Sequence, residues 1–95
     1  MKKLFISQPM RGKTDDQILK ERKTAVTTAE SIVGEPVKII DSFVTETGTP
    51  LEYLSKSIGF LAQADIAYFA SGWKDARGCK IEHECAVEYG IDRID

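Results

Sequence analysis

A single carboxylate, Glu82, occupies the position in this chain most suited to chemistry. It lies four residues after Gly78 and opens what reads as the last helix. The loop before that helix follows a short apolar run, residues 66–70, which predicts a buried strand. In open α/β folds, ligands bind at the carboxyl ends of the strands, which makes Glu82 the first candidate for catalysis. The structural alternative is an acid that the dipole of the helix favours in its first turn.

Basic residues collect in two predicted loops. Five of the thirteen Lys and Arg residues follow the first predicted strand or surround the loop before Glu82, although the chain as a whole has a formal net charge of −2. Together with backbone N–H groups at helix N-termini, they suit an anion, most simply a phosphate. The alternative is ordinary solvation of charged loops. These five residues are Arg11, Lys13, Lys74, Arg77 and Lys80.

Length and composition set the class of protein. The 95 residues predict one domain, residues 1–95, and 42% hydrophobic with 29% charged residues is ordinary for a globular protein. The charge balance gives no general attraction to nucleic-acid polymers or membranes, and no apolar run reaches the ~20 residues of a membrane span. Cys79 and Cys85 read as reduced thiols of a cytoplasmic protein, and with His83 as the only histidine they predict no metal site.

Strand and helix patterns alternate along the whole chain. Thr14 and Gln17 predict a capping box at the start of the first helix, which ends at Gly34, and Pro50 suits the first position of the second helix. A polar loop is expected over residues 42–49. The predicted strands are 3–7, 37–41, 66–70 and 91–95, the last at an edge, and the later helices are 50–64 and 79–89.

This alternation predicts an α/β fold with a parallel sheet and helices on both faces. Right-handed crossovers leave few topologies, and we expect the flavodoxin-like (Rossmann-like) strand order 2-1-3-4. The point where the strand order reverses then falls between strands 1 and 3. The loops 8–13 and 71–77 would face each other across one crevice at that point.

Three motifs carry a resemblance to a known superfamily. The first strand and its loop read Phe5-Ile6-Ser7-Gln8-Pro9-Met10-Arg11-Gly12, Ala64-Asp65 precedes the third strand, and the last helix opens with Gly78-x-x-x-Glu82-x-x-x-Ala86. Together they resemble the nucleoside 2-deoxyribosyltransferase superfamily, in which a Gly-x-x-x-Glu-x-x-x-Ala motif carries the catalytic glutamate. The Gly72-Trp73 and Arg77-Gly78 pairs look closest to a short bacterial and phage branch known as a domain-of-unknown-function family.

The resemblance implies cleavage or transfer at the N-glycosidic bond of a (deoxy)nucleoside or its 5′-monophosphate, without a cofactor. Glu82 would be the nucleophile, and Asp65 either a second carboxylate near the sugar or a group that only caps or hydrogen-bonds a loop. Trp73 would stack on the base, or instead cover the edge of the sheet or an interface. The residues expected to bind the substrate are Ser7, Gln8, Pro9, Met10, Arg11, Gly12, Gly72, Trp73, Lys74, Arg77 and Gly78.

A different class of function stays open beside the enzyme. Gln8 stands where the superfamily commonly has Gly, and Ala76 where it often has Ser. Both departures favour a non-catalytic nucleotide-binding or sensing module, whereas Glu82 favours the enzyme. In either case the expected partner is a small nucleoside or nucleotide, and helix faces left uncovered in a short α/β protein predict a homo-oligomer.

Overall fold

The computed structural model describes residues 1–40 and 48–95. Most of the predicted loop 42–49, and Asp41 at the end of the predicted second strand, lie outside these residues. The strands are β1 (Lys2–Ser7), β2 (Val37–Ile39), β3 (Ile66–Phe69) and β4 (Asp92–Ile94), and the α-helices are α1 (Asp15–Val33), α2 (Pro50–Leu61) and α3 (Arg77–Glu88). A short 3-10 helix, Trp73–Asp75, precedes α3.

The four strands form one parallel sheet in the order β2-β1-β3-β4. This confirms the predicted α/β fold and its strand order. The charged strand β4 lies at an edge, as its sequence indicates. Ser7 at the end of β1 is in register with Phe69 at the end of β3, so the loops that follow these two strands leave the sheet side by side.

Side chains of β1 alternate between two apolar layers, as the period of two in a strand requires. Leu4 and Ile6 pack with Ala25 and Ala29 of α1 on one face of the sheet. Phe5 packs on the opposite face, in a cluster with Leu61 of α2 and Ala86 of α3. Ser7 has the same parity as Phe5, so the alternation directs it to the α2/α3 face.

Local sequence fixes most helix ends. The predicted capping box of α1 is present between Thr14 and Gln17, and Gly34 ends the helix in a left-handed conformation (φ 80°). A second capping box, formed by Thr49 and Glu52, opens α2.

Two helix boundaries differ from the sequence-based expectation by two residues or more. Helix α2 ends at Leu61 rather than Ala64, because Gln63 N–H donates to the Phe60 carbonyl and Ala64 N–H to the Leu61 carbonyl, which tightens the last turn. Helix α3 begins at Arg77, two residues earlier than predicted. Among the helices of the described residues, none has the length and apolar character needed to cross a membrane.

Candidate functional site

A buried carboxylate lies where β1, α2 and α3 meet. Glu82 is only 6% exposed. Its Oε1 atom accepts a hydrogen bond from the Ser7 hydroxyl at 2.8 Å, and its Oε2 atom accepts one from the Ser57 hydroxyl. Ser7 comes from the carboxyl end of β1 and Ser57 from α2, so two separate elements hold the two oxygens of one carboxylate.

Burial and hydrogen bonding act on this carboxylate in opposite directions. Loss of solvent is the larger effect and raises the pKa of Glu82 above its ordinary value. The hydrogen bonds from Ser57 and Ser7 favour the charged form and lower the pKa in part. The result is a carboxylate with little hydration that nevertheless has two donors for its ionised state.

A thiol adjoins the same group. Cys79 is buried in the first turn of α3. Burial raises the pKa of its thiol, the hydrogen bond with Ser7 lowers it and the negative charge of Glu82 raises it further. Because the thiolate is the reactive form, this protonated thiol is a poor nucleophile. Cys79 and Cys85 are both free cysteines.

Glu82 lines an open cleft, which we call the carboxylate cleft. It has a volume of about 310 Å³ and also includes Ser57, Cys79, Tyr53 and Leu54 on its walls. The loop after β1 contributes Gln8, Pro9 and Met10, and the start of α3 contributes Ala76 and Gly78. Residues of both predicted loops, 8–13 and 71–77, therefore lie on the walls of this cleft.

A second cleft adjoins the first, and we call it the arginine cleft. It measures about 610 Å³ and shares Pro9, Met10, Ala76 and Gly78 with the carboxylate cleft. Its other walls are Arg11, Arg77, Asp75 and Gly72. Two of the five basic residues predicted at this rim thus line one cavity, together with one acid.

The three remaining predicted basic residues are not among the residues that line these two clefts. Lys13 Nζ forms an ion pair with Glu21 at 2.8 Å. Lys74 Nζ lies 5.6 Å from the centre of the Trp73 ring. Lys80 is an exposed residue of α3.

Glycines make the loop turns around both clefts. Gly72 adopts φ 88° immediately before the 3-10 helix, and Gly12 adopts φ 77° in the turn after Arg11. Both values lie in the left-handed region that residues with a Cβ rarely enter. A Cβ on Gly72 would also come within 3.8 Å of the Pro9 ring, which shows how closely the two loops approach.

The side chain of Gln8 turns from the cleft towards α1. Its Nε2 atom donates to the Ile18 carbonyl at 3.2 Å and to Glu21 Oε1 at 3.1 Å, and its Oε1 atom accepts from Arg22 at 3.4 Å. These three hydrogen bonds fix the loop after β1 on α1, and Gln8 is also among the residues that line the carboxylate cleft.

Asp65 lies at the amino-terminal end of the parallel strands, opposite the end where Glu82 lies. It directly precedes β3, and its Oδ2 atom accepts a hydrogen bond from the backbone N–H of Lys3 at 2.8 Å. Ser7, the partner of Glu82, lies four residues further along β1, or about 13 Å at ~3.3 Å per residue. Asp65 is not among the residues that line the carboxylate cleft. Its observed contact is a backbone hydrogen bond from strand β1, whereas the alternative expectation was a bond to a loop.

Trp73 packs on aromatic neighbours. Its ring stacks on His83 with centroids 3.9 Å apart and 17° between the planes, and it contacts Phe69 at 5.8 Å. His83 Nε2 in turn lies 2.7 Å from Asp95 Oδ2. These contacts place Trp73 with the cluster on the α2/α3 face of the sheet.

Ser57 is the site residue that sequence reasoning missed. It lies next to Ile58 of the apolar stripe and four residues after Tyr53, which also lines the cleft. A polar pair at i, i+4 beside an apolar stripe was the available signal. The rotation of α2 about its own axis, which directs Ser57 to Glu82, is set by tertiary packing and has no local signature.

Fold and site together define an α/β Rossmann-like domain with a buried carboxylate at the carboxyl edge of its parallel sheet. No group of three or more potential metal-ligating His, Cys, Asp or Glu side chains occurs in residues 1–40 and 48–95. A family model described as Domain of unknown function (DUF4406) matches residues 2–94, and the chain belongs to that family. This confirms the expected membership of a short domain-of-unknown-function family. No curated protein matches the chain.

Proposed function

We propose that this protein cleaves or transfers at the N-glycosidic bond of a deoxynucleoside or its 5′-monophosphate, with Glu82 as the nucleophile. The observation that carries the proposal is the buried carboxylate, held by two serine hydroxyls, on the wall of a cleft. The resemblance of Gly78-x-x-x-Glu82-x-x-x-Ala86 to the nucleoside 2-deoxyribosyltransferase motif supports the same role for this residue.

The reaction would proceed in two displacements. A carboxylate oxygen of Glu82 forms a bond to C1′ of the sugar while the C1′–N bond breaks, and the base leaves with the electron pair and takes a proton from solvent. Water or a second base then attacks C1′, which releases the carboxylate and restores the original configuration. The sugar passes through an oxocarbenium-like state in each step, and a nearby negative charge stabilises it.

Burial of Glu82 favours this role in the nucleophilic step. A carboxylate with few water contacts loses little hydration when it attacks, and donors already in place need no rearrangement. Burial raises the pKa of Glu82, and only the ionised carboxylate can act as the nucleophile. Activity should therefore rise with pH through the pKa of Glu82.

The arginine cleft supports a phosphorylated substrate. Arg11 lines it from the loop after β1 and Arg77 from the first turn of α3, and both lie beside the walls that the two clefts share. Helix α3 begins at Arg77, and its N-cap, Ala76, has no side chain that could accept hydrogen bonds from the first turn. Backbone N–H groups at such a helix start, together with arginines, suit a phosphate.

The position of Gln8 bears on the choice between enzyme and binder. Its replacement of a glycine favoured the binder because a larger side chain would crowd the sugar. Since the Gln8 amide bonds Ile18, Glu21 and Arg22, the enzyme proposal keeps its support. Ala76 still favours a binding module, because it supplies no hydroxyl at the start of α3.

A panel assay tests the proposal. Purified protein is incubated with nucleosides, deoxynucleosides and their 5′-monophosphates, alone and with a second base, and released or exchanged base is followed by chromatography. We expect turnover of at least one deoxy compound and a loss of several orders of magnitude in Glu82→Gln. The matched control is Glu84→Gln, an exposed acid on the same helix, which should retain turnover.

Two outcomes would contradict the enzyme. Full turnover by Glu82→Gln would remove the nucleophile assignment. Measurable binding of a panel member without any release of base by the wild-type protein would favour the nucleotide-binding module.

A further inference from the structure

Ser57 contributes a hydrogen bond that neither the resemblance nor the sequence pattern assigned. Its hydroxyl donates to Glu82 Oε2 from α2, whereas Ser7 donates to Oε1 from β1. No buried side-chain polar atom among the described residues lacks a hydrogen-bond partner. The carboxylate is therefore part of a completed polar cluster between otherwise apolar layers.

The second donor changes what the carboxylate can do. The last torsion of a glutamate side chain is broad, so one hydrogen bond leaves the carboxylate plane free to rotate. Two donors from two different elements, one to each oxygen, fix that plane. A nucleophile gains from this, because a reacting atom held in one orientation reacts far faster than a mobile one.

The pair is poorly explained by stability alone. A buried acid that only filled space between α2 and α3 would be replaced without loss by an apolar residue of similar volume. Ser57 likewise is only half-buried and has its hydroxyl directed at this acid. The Ser57 hydroxyl and the Glu82 carboxylate satisfy each other's hydrogen bonding, and both residues line the carboxylate cleft.

We propose that Ser57 is a positioning residue, whose hydroxyl on α2 fixes the orientation of the Glu82 carboxylate towards the cleft. This inference rests on the proposed function for its kinetic consequence, but its effect on the carboxylate itself does not depend on turnover. Ser57 acts through Glu82, so its removal affects the chemical step and the ionisation of the acid more than substrate binding.

The experiment compares Ser57→Ala with Ser55→Ala. Ser55 lies on the same helix, is exposed, and donates its hydroxyl to the Glu52 carbonyl at 2.8 Å, so its variant controls for loss of a serine from α2. Alanine is the best helix former, and both variants should fold. Thermal unfolding monitored by circular dichroism checks this.

The first readout needs no substrate. In protein with ¹³C-labelled glutamate, the signal that disappears in Glu82→Gln identifies the Glu82 carboxyl, and its titration is followed by NMR. In Ser57→Ala we expect the midpoint to move upwards by about one pH unit or more, as loss of a hydrogen bond to a charged group implies. Ser55→Ala should titrate like the wild type.

The second readout is turnover of whichever deoxy compound the panel identifies. Ser57→Ala should lower kcat by roughly ten- to a hundredfold, leave KM little changed and shift the acidic limb of the pH profile upwards. Ser57→Thr, which restores a hydroxyl, should recover most of both effects. A structural defect would not be rescued in this way.

The outcomes separate the two proposals. If the wild type releases no base while the Glu82 midpoint still moves in Ser57→Ala alone, the proposed function fails and the positioning role stands. If Ser57→Ala titrates like Ser55→Ala, the positioning role is overturned, whatever the panel assay shows. Where the wild type does turn over a substrate, equal turnover by the two variants overturns it as well.

Discussion

At the scale of single residues, the dominant feature is an acid in a place that does not favour its charge. Glu82 is buried, and burial raises its pKa in spite of two hydrogen bonds. Desolvation of a carboxylate is costly, and partial compensation leaves a net penalty for the charged form. The fold therefore carries an unfavourable charge at the position where the proposed chemistry needs one.

This penalty predicts how stability depends on pH. Because the pKa of Glu82 is higher in the folded than in the unfolded chain, the folded chain holds the proton more tightly. The stabilisation is complete below the unfolded pKa and is lost as pH rises through the folded pKa. Glu82→Gln cannot ionise, so we expect it to be more stable than the wild type at neutral pH. The gain in unfolding free energy is about 1.4 kcal/mol for each pH unit by which the pKa of Glu82 in the folded chain exceeds that in the unfolded chain.

Urea unfolding at neutral pH and at about pH 4, near the ordinary glutamate value, measures this effect. The advantage of Glu82→Gln should shrink at the lower pH, where more of the wild-type carboxyl is protonated, in the folded chain to a greater extent than in the unfolded chain. Glu84→Gln controls for loss of an exposed acid from α3. A variant less stable than the wild type at both pH values by the same amount would show that burial does not penalise this charge.

At the scale of elements, the sequence predicted the order of strands and helices, because alternation, capping boxes and turn residues are local signals. Thr14 with Gln17 and Gly34 gave both ends of α1. Contacts between helices and strands were harder to predict from the sequence, because they depend on tertiary packing. The role of Ser57 could not be predicted, because the rotation of α2 about its axis is set by tertiary packing. The separation of Asp65 from Glu82 could have been predicted from the topology. A residue that precedes a parallel strand lies at the amino-terminal end of the strands, opposite the loops that follow them.

The start of α3 and the loop after β1 jointly predict the phosphate preference. We expect a deoxynucleoside 5′-monophosphate to bind more tightly than its nucleoside, and the difference to fall with salt. Arg11→Ala or Arg77→Ala should remove most of it, at about 1.5–3 kcal/mol for a charge-assisted hydrogen bond. Calorimetric titration measures both affinities.

Lys23→Ala is the control for this series. Lys23 is an exposed cation of α1, and α1 packs on the face of the sheet opposite α2 and α3. Its removal changes net charge equally and should leave the preference intact. Equal affinity of the wild type for nucleoside and monophosphate would refute the phosphate site and leave the sugar site open.

At the scale of the whole molecule, the sheet separates Asp65 and Glu82, two carboxylates that the resemblance suggested as a pair beside the sugar. In glycosidases that retain configuration, the two carboxyl groups lie ≈ 5–5.5 Å apart. Here the β1 residues that bond Asp65 and Glu82, Lys3 and Ser7, are about 13 Å apart along the strand. We therefore expect Asp65→Asn to keep the base release and pH profile of the wild type. A loss of turnover comparable to that of Glu82→Gln, in a variant that unfolds normally, would mean that the two acids act together.

Self-association is a further prediction at this scale. The groove between α1 and the edge strand β2 is lined by the apolar residues Leu19, Val26 and Ile39 and by the basic residues Lys20, Arg22 and Lys23. Leu19 is 64% exposed. Exposed apolar patches of this kind mark interaction surfaces. Sedimentation should find a dimer that Leu19→Glu dissociates. Thr24→Glu, which adds the same charge at another exposed position of α1, should not, and a monomeric wild type would contradict the prediction.

The stack of Trp73 on His83 has a spectroscopic consequence. The chain contains one tryptophan and one histidine, and their rings lie face to face 3.9 Å apart. All indole fluorescence and all imidazole proton resonances therefore originate where the 3-10 helix packs on α3. The ring current of the indole should displace the imidazole resonances in the folded chain, and the displacement should vanish on unfolding. The protein carries a native optical and magnetic reporter, with no label to introduce.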